Sequence, residues 1–499
     1  MIPAQLQDLL SSKFNLIDFV DLADLTDNPS LIFNLFKSNS KQEFLVNDRL
    51  VIYTSQTIPD QLIAHLYHNA NFIDISNFFV LLCTSTDINQ QLSRVCNSDS
   101  SDHVPFQNLV VALTDTKNLS DGYKLPEIMC AIPWMGLEIV SSGDIKPCCV
   151  SRDSIGNIQK NSLSDVFYSN YMQQLRQDFL NGKKNSNCNT CWHHESKGLT
   201  SIRQLNIKRL KEPFLTKFLH KPEITQLDIK FQNTCNFKCR ICNRDSSSLY
   251  AAEESKFCGI PLVTQNKWSE SDNFINQINN LLPSITNIDM YGGEPFLIKR
   301  FAETLKLAVN QGLAKNIRLH YNSNGSVWPA EFIGYWPDFK LVDINFSIDA
   351  IGDQFNLQRG GSWHDVESNI LKIKNLGFSN MTISIMPTIS IMNILYIDQV
   401  IEWAKQHNFQ LFVNYLVGPP EFALSGLTKQ AKDMVLKKHQ NSLWPEMKNI
   451  LNYIQSSPDS DGTMFCKKTQ WFDSIRKENF SDGHFEIANA MGYVYNKQV

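Results

Sequence analysis

The sequence predicts an α/β protein built around a partial (β/α)6 barrel of the TIM type. Three observations support this fold class. Six short apolar runs recur between residues 211 and 425, with helical stretches between them. Five cysteines cluster just before this region. A second set of apolar runs, within residues 1–120, also alternates with helical patterns. We therefore expect a small α/β domain (1–120), a cysteine-rich domain (121–210), the barrel (211–425) and a C-terminal helical segment (426–499) that packs on the barrel.

Composition argues against several classes of protein. The net charge of −4 on 499 residues gives no electrostatic reason to expect a nucleic-acid or membrane partner. No apolar run is long enough to span a bilayer, and the N-terminus has no secretory pattern. Eight of the 12 cysteines fall into two groups, which favours metal binding over disulfides in a reducing compartment. We expect a cytoplasmic protein.

The barrel prediction rests on six strand-like runs and the segments between them. The runs are Leu227–Phe231, Ile288–Tyr291, Ile317–Tyr321, Ile344–Ile348, Met381–Met386 and Leu411–Tyr415. Crossover connections imply parallel strands, and only the third-to-fourth connection lacks a clear helix. Parallel α/β sheets carry their functional residues at the carboxyl ends of the strands, so the loops after these runs are the candidate site.

The loop after the first barrel strand contains a C-x3-C-x2-C array, formed by Cys235, Cys239 and Cys242. Three thiolates on one loop can hold three irons of a 4Fe–4S cluster and leave the fourth iron open to a small molecule. Two alternatives remain: a partial zinc site, although zinc usually takes four ligands, and disulfide partners.

A second cysteine set lies upstream. Cys130 and Cys148 flank a strand–turn–strand pattern with Gly143 at the turn, and Cys188 and Cys191 form a C-x2-C pair after a helical stretch over 165–180. Four thiolates from two places close a metal site completely. Cys149 is a substitute ligand for Cys148. A zinc ribbon is the alternative, which would also draw on His193 or His194.

Polar motifs follow the later strands. The second strand leads into Gly292-Gly293-Glu294-Pro295, where the glycines allow close approach of backbone to a ligand. Asn324 follows the third strand, Ser347 and Asp349 follow the fourth, and Asn393 follows the fifth.

The cysteine loop and the motifs that follow it, in this order, resemble the radical S-adenosylmethionine enzymes. The resemblance implies that Cys235, Cys239 and Cys242 hold a catalytic 4Fe–4S cluster whose open iron binds S-adenosylmethionine. It also implies reductive cleavage to a 5′-deoxyadenosyl radical that abstracts a hydrogen atom from a substrate. Further contacts to S-adenosylmethionine are implied for Ile241 and Asn393 at the adenine, for Gly292, Gly293 and Glu294 at the amino group, and for Ser347 and Asp349 at the ribose or methionine part. Asn324 resembles the Asn of the family's Thr-Asn-Gly turn and is also an implied cofactor-binding residue.

Arg359 has two interpretations. It is suited to pair with the methionine carboxylate, a charge-assisted contact. Alternatively, it is a surface arginine that caps the helix predicted to begin near His364.

The upstream cysteines resemble the SPASM region in its shorter twitch form, which implies one auxiliary 4Fe–4S cluster on Cys130, Cys148, Cys188 and Cys191. Here the region precedes the barrel, whereas it follows the barrel in most relatives. A Glu-x2-Gly-x2-Ser-x-Arg tail (Glu195, Gly198, Ser201, Arg203) is shared with a group of proteins that have this inverted order.

The resemblance implies a peptide or amino-acid-derived substrate, modified by oxidation, cross-linking or epimerisation, and an electron donor such as flavodoxin or ferredoxin. A small-molecule radical dehydrogenase and a non-catalytic zinc- or iron–sulfur-binding protein are the alternatives.

Overall fold

The computed structural model describes residues 125–196, 200–213, 217–219, 221–262 and 267–494, together with the backbone of 16–21, 49–54 and 78–82. The chain divides into two compact units. One contains residues 1–125 and 212–221, and the other contains residues 126–211 and 222–499.

The first unit contains a three-stranded parallel sheet. Its strands are β1 (Leu16–Asp21), β2 (Arg49–Thr54) and β3 (Phe78–Leu82), in that order across the sheet. The sequence predicts β2 and β3. The third predicted strand, over 109–113, lies outside the described residues.

The second unit is organised by a nine-stranded sheet. Its strands are β4 (Gly136–Ile139), β5 (Asp144–Lys146), β6 (Gly156–Asn157), β7 (Gln226–Phe231), β8 (Asn287–Gly292), β9 (Arg318–Ser323), β10 (Leu341–Phe346), β11 (Met381–Ile385) and β13 (Gln410–Leu411). Across the sheet they run in the order β13-β11-β10-β9-β8-β7-β4-β5-β6. The six strands from β7 to β13 are all parallel and follow one another in sequence order. The sheet is not closed, which confirms the predicted partial barrel.

The cysteine-rich segment extends the barrel sheet. Strand β4 pairs in parallel with β7, which would otherwise be an edge strand with unpaired backbone groups. Strands β5 and β6 continue the sheet in antiparallel fashion. The predicted turn at Gly143 joins β4 to β5, and its φ of +85° is a conformation that glycine adopts easily.

The sixth predicted strand differs from the expectation. It divides into β13 and β14 (Asn414–Tyr415), and β14 pairs with β12 (Thr388–Ile389) in a separate two-stranded sheet. Pro387 follows β11, the strand that pairs with β13. This proline has no N–H to donate to the sheet, and β11 ends two residues before it.

Fifteen α-helices are assigned in the described residues. They are α1 (Leu163–Phe167), α2 (Asn170–Leu180), α3 (Asn189–Ser196), α4 (Ile202–Pro213), α5 (Ser248–Cys258), α6 (Asp272–Leu281), α7 (Ala302–Asn310), α8 (Ala330–Ile333), α9 (Gly352–Arg359), α10 (Trp363–Lys374), α11 (Ile397–Gln406), α12 (Lys429–His439), α13 (Met447–Ser456), α14 (Thr463–Arg476) and α15 (Phe480–Ala490). The single helix predicted over 165–180 is two helices, because Ser169 caps α2 by accepting the Met172 N–H. None of the described helices has the length and apolar character to cross a membrane.

The two faces of the barrel sheet differ in chemistry. Leu227, Ile229 and Phe231 of β7 alternate with polar residues and are almost fully buried. The opposite face carries polar side chains in register from strand to strand: Asp228, Asp289, His320, Asp343 and Thr382. An all-parallel strand buried on both sides is usually apolar throughout, so this polar face marks an internal surface suited to a ligand.

Candidate active site and cysteine-lined cavity

The loop that contains Cys235, Cys239 and Cys242 begins where β7 ends. Cys235 and Cys239 are buried, and Cys242 is partly exposed. Ser248, the first residue of α5, holds the start of the loop: its hydroxyl accepts the Cys235 N–H and donates to the Cys235 carbonyl. The three thiols therefore lie at the carboxyl end of a barrel strand, as the sequence predicts for a candidate site.

Burial makes these thiols weak acids in the protein without metal. It raises the pKa of Cys235 and of Cys242 to about 12, with a further contribution from neighbouring cysteines, and it also raises that of Cys239. Positively charged metal stabilises thiolates in such a setting, since metal ligation replaces the proton.

Two N–H groups point at the Cys235 sulfur. The Phe237 amide donates to Sγ at 3.4 Å, and the Asn324 side-chain amide donates at 3.8 Å. Hydrogen bonds to ligating sulfurs are one means by which a protein sets the reduction potential of an iron–sulfur cluster. Asn324 thus contacts the loop directly.

The Gly-Gly turn after β8 packs against the cysteine loop. The Glu294 amide donates to the Thr234 carbonyl at 2.8 Å, and a Cβ added to Gly293 would lie 2.0 Å from the same oxygen. Gly292 has a φ of +117°. The sequence predicts that these glycines allow a ligand to approach the backbone, and the structure shows that they also allow close approach of two backbone segments.

Glu294 is buried at the junction of three strand ends. Its carboxylate accepts the Asn324 N–H at 2.7 Å, the Phe296 N–H at 3.2 Å and the Ser323 hydroxyl at 3.0 Å. Burial raises the pKa of Glu294 to about 7, although these hydrogen bonds favour the ionised form. Its carboxylate holds the loops after β8 and β9 together.

Arg359 lies beside the cysteine loop. Its guanidinium donates to Asp349 at 2.7 Å, and the second Asp349 oxygen accepts the Thr388 N–H. Burial opposes the charge, but Cys239 and Asp349 raise the pKa of Arg359 above its ordinary value overall. The surface interpretation of Arg359 is therefore wrong, because the side chain is buried and the next helix is capped by Ser362 instead.

The Arg359 Nε–H is buried without a hydrogen-bond partner. An unmet donor beside the cysteine loop fits an anionic ligand at this position, since a buried donor left unpaired is costly. The cysteine donor set and this orphan donor together fit an iron–sulfur cluster that binds a carboxylate-bearing ligand.

The remaining predicted contacts are placed as follows. Ile241 is partly exposed within the loop, and Ser347 donates its backbone N–H to the Ser323 carbonyl. Asn393 is fully buried, and both ends of its amide bind the neighbouring backbone at Thr388 and Ser390. Its local role is to shape this turn, and the predicted adenine contact stays a prediction.

The upstream cysteines gather around a second space. Cys130, Cys148, Cys149, Cys188 and Cys191 all line one cavity of about 280 Å³. Burial raises the pKa of Cys148 to about 11 and that of Cys188 to about 12, with neighbouring thiols adding to both. His193 and His194 are exposed on α3 and do not line the cavity.

Cys148 and Cys149 face different surroundings. Cys130 is influenced by Cys148, Cys188 and Cys191, which places these four thiols together. The pKa of Cys149 is raised by burial and then by Asp228 of the barrel wall. Charge interactions thus link Cys130 to Cys148, Cys188 and Cys191, whereas Cys149 is linked to Asp228 and to Cys148.

The Glu-x2-Gly-x2-Ser-x-Arg tail supports the walls of the cavity. Of its four named residues, Gly198 lies outside the described residues. Arg203 binds both oxygens of Glu195, one turn after Cys191, at 2.9 and 2.8 Å. It also donates to the Met129 carbonyl, next to Cys130, at 2.8 Å. One side chain therefore fixes the separation of two of the cysteines.

A contact set with the C-terminal helices was not predicted as part of the site. Arg476 of α14 binds Glu253 of α5 at 2.6 Å and donates to the Lys238 carbonyl within the cysteine loop at 2.8 Å. No local sequence pattern marks this pairing, because its members are more than 200 positions apart. Among the described residues, no group of three or more His, Cys, Asp or Glu is arranged to hold a single metal ion.

Comparison with known proteins agrees with this geometry. Residues 229–404 match the Radical SAM superfamily, and residues 130–192 match the iron–sulfur cluster-binding domain named SPASM. The chain carries a radical S-adenosylmethionine domain. More particularly, a SPASM iron–sulfur domain precedes that domain in the chain. These matches imply a 4Fe–4S cluster with S-adenosylmethionine for the barrel and auxiliary iron–sulfur binding for the segment before it.

Curated relatives are distant. GTP 3′,8-cyclase of Vibrio cholerae serotype O1 is 24% identical over 212 residues, which cover 41% of this chain and 56% of the relative. The sporulation killing factor maturation protein SkfB of Bacillus subtilis is 26% identical over 248 residues, which cover 48% and 54%. The chain spans about half the length of the curated relatives it matches.

Solved structures are similar only in part. Native anSMEcpe with bound AdoMet is 17% identical, with a TM-score of 0.34, over 45% of this chain and 61% of that chain. Streptococcus suis SuiB bound to precursor peptide SuiA is 12% identical, with a TM-score of 0.28, over 51% and 59%.

Proposed function

We propose that this protein is a radical S-adenosylmethionine enzyme that modifies a peptide or amino-acid-derived substrate. The observation that carries the proposal is the convergence of four strand-end motifs on the loop of Cys235, Cys239 and Cys242. A buried arginine donor without a partner lies beside that loop. When bound, the cluster and S-adenosylmethionine supply a 5′-deoxyadenosyl radical that removes a hydrogen atom from the substrate.

The chain's own residues have positioning roles in this proposal. Cys235, Cys239 and Cys242 hold three irons, and Phe237 and Asn324 hydrogen-bond the Cys235 sulfur. Arg359 offers its free Nε–H to the methionine carboxylate, with Asp349 fixing the guanidinium.

The other predicted contacts complete the set. Backbone carbonyls of the turn at Gly292 and Gly293 would accept hydrogen bonds from the ammonium group of S-adenosylmethionine. The Glu294 amide holds that turn against the cysteine loop. Ile241, Ser347 and Asn393 stay proposed contacts to the adenosyl part. Cys130, Cys148, Cys188 and Cys191 hold the auxiliary cluster.

Support for a peptide-type substrate comes from SkfB, whose name describes maturation of a killing factor. The similarity to GTP 3′,8-cyclase favours a second candidate, a small-molecule substrate. Whichever substrate is used, an electron donor such as flavodoxin or ferredoxin is required to reduce the cluster.

The proposal is tested by the formation of 5′-deoxyadenosine. The full chain, reconstituted anaerobically with iron and sulfide, is mixed with S-adenosylmethionine and dithionite, and the product is quantified by liquid chromatography. We expect 5′-deoxyadenosine from the wild type and none from a Cys235→Ala/Cys239→Ala/Cys242→Ala variant. A Cys258→Ala variant, altered at an exposed cysteine, serves as the matched control. Absence of product from iron-loaded wild type contradicts the proposal.

A further inference from the structure

Three carboxyl side chains stand side by side on the polar face of the sheet. Glu138 of β4 is the register partner of Asp228 of β7, and Asp228 is the partner of Asp289 of β8. Adjacent strands lie about 4.8 Å apart, so the three groups are close neighbours. Like charges placed directly opposite one another destabilise a sheet unless cations compensate them.

Among the described residues, the ion pairs of this row form at its two ends. Lys230 pairs with Glu138 at 2.9 Å, and Arg318 pairs with Asp289 at 3.3 Å. Within the described residues no lysine, arginine or histidine forms an ion pair with Asp228. Burial, Asp289 and Glu138 raise the pKa of Asp228 well above its ordinary value, and the smaller opposing effect of Lys230 does not offset them. The middle of the row is therefore short of positive charge.

Unpartnered acceptors lie on the same face. Glu138 is completely buried, its Oε1 contacts Lys230 and the Tyr291 hydroxyl, and its Oε2 has no hydrogen-bond partner. The Oδ1 of Asn322 is likewise buried without a partner. A buried acceptor left unsatisfied costs about 1–3 kcal/mol, so both groups need a donor that the chain does not supply. The side-chain amide nitrogen of Asn287 also has no hydrogen-bond partner. Asn287 lies two residues before Asp289 on β8 and is the register partner of Gln226 on β7.

Part of this polar face borders an open space, although Glu138 is not among the residues that line it. Asp228, Asp289, Tyr291 and Asn322 line the cavity of about 280 Å³ whose other wall carries the auxiliary cysteines. The space therefore extends from the barrel wall to the auxiliary cysteines. Arg203, Arg209 and His320 also line it. The Arg203 guanidinium is bound to Glu195 and to backbone carbonyls, His320 contacts Asp343, and Arg209 contacts the neutral Asn206 on the same helix.

We propose that this cavity binds a cationic nitrogen group of the substrate, a primary ammonium or a guanidinium, with Asp228 as its counter-charge and with Asn322 as an acceptor. The inference rests on the proposed function, because it names the chemical class of substrate for that enzyme. The same row of carboxylates repels a triphosphate. The cavity therefore favours a lysine- or arginine-type side chain over a nucleotide such as GTP.

Binding of small probes tests the inference. The full chain with its clusters reconstituted is titrated, without S-adenosylmethionine or reductant, with Nα-acetyl-lysine methylamide, and binding is followed by saturation-transfer NMR. The arginine analogue tests a guanidinium source, and the norleucine analogue lacks the charge. We expect the norleucine probe to bind at least about tenfold more weakly than the better cationic probe.

Variants assign the preference to Asp228. Asp228→Asn is expected to remove the preference for the cationic probe, and Asp228→Glu to retain it. Asp433→Asn on the exposed surface of α12 changes the same charge and is expected to have no effect. Each variant must keep the iron content and unfolding midpoint of the wild type. Equal binding of all three probes overturns the inference, as does a preference that survives Asp228→Asn in folded protein.

The two proposals fail separately. The same preparation is assayed for 5′-deoxyadenosine. Formation of that product without selective probe binding overturns only the cationic subsite. Selective probe binding without the product supports the subsite and contradicts the radical chemistry.

Discussion

The guanidinium of Arg240 lies 2.6 Å from a carboxylate oxygen of Asp473, and both side chains are completely buried. Arg240 stands between Cys239 and Ile241, so this ion pair joins the cysteine loop to α14. Glu478 adds a second carboxylate at 2.6 Å, and the Arg240 amide donates to the Gln358 carbonyl. The C-terminal helices are thus part of the support for the candidate cluster site.

Removing one partner of this pair should destabilise the protein strongly. Asp473→Asn leaves the buried Arg240 charge without its main counter-ion, and we expect the free energy of unfolding to fall by about 3–5 kcal/mol. Urea unfolding monitored by tryptophan fluorescence measures this. Asp433→Asn, in the exposed Lys429–Asp433 pair, is the control and should have little effect. If both variants unfold at the same urea concentration, the pair does not support the loop.

The close packing of Gly293 predicts a loss of cluster binding on substitution. In Gly293→Ala the new Cβ would lie 2.0 Å from the Thr234 carbonyl oxygen, so the cysteine loop must move. We expect iron per chain from the catalytic cluster to fall by more than half. Gly334→Ala, where nothing lies within 4 Å of the new atom, should retain full iron content. Normal iron in folded Gly293→Ala would show that the loop tolerates the displacement.

The different surroundings of Cys148 and Cys149 predict different effects of serine substitution. Cys148→Ser should lose about four irons per chain, the content of one 4Fe–4S cluster, whereas Cys149→Ser should lose none. Metal analysis of the reconstituted proteins measures this. The reverse result would make Cys149 the ligand, and zinc with little iron in the wild type would favour the zinc-ribbon alternative.

Arg359 should be required for tight binding of S-adenosylmethionine. Arg359→Lys keeps the charge but removes the planar guanidinium that donates to Asp349 and carries the free Nε–H. We expect the dissociation constant for S-adenosylmethionine to rise about tenfold or more, as followed by the change in cluster absorption. Arg318→Lys, on the barrel wall, is the control. An unchanged dissociation constant would remove Arg359 from the binding site.

The buried His484 predicts a loss of stability in mildly acidic solution. Burial, and then the charge of Arg240, lower the pKa of His484 to about 3 in the folded protein. The unfolded chain binds a proton below about pH 6.5, so stability falls as the pH drops from 6.5 towards 3. Between pH 6.5 and pH 5 we expect a loss of about 2 kcal/mol from this residue.

A phenylalanine variant isolates that effect. His484 stacks on Phe480 and accepts a hydrogen bond from Gln358, so His484→Phe keeps the ring contact and removes the titrating group. The wild type should lose more stability than His484→Phe over this pH range in urea unfolding. Parallel pH profiles would show that His484 does not determine the acid sensitivity.

The sequence by itself determined the parallel barrel strands, the cysteine loop after β7 and the order of the motifs that follow. These features are local. Apolar periodicity, and the spacing of cysteines a few residues apart, can each be read within one short segment of the chain. Spacing also predicts the separate set of upstream cysteines, which line one cavity, but it leaves the choice between Cys148 and Cys149 open.

Only the tertiary structure decided which side chains meet across distant segments. It paired Arg240 with Asp473, buried Arg359 against Asp349, and joined β4 to the barrel through β7. It also set Glu138, Asp228 and Asp289 side by side, because strand register fixes neighbours that no spacing in the chain records. Packing determines which carboxylates on this polar face have a cationic partner and which do not.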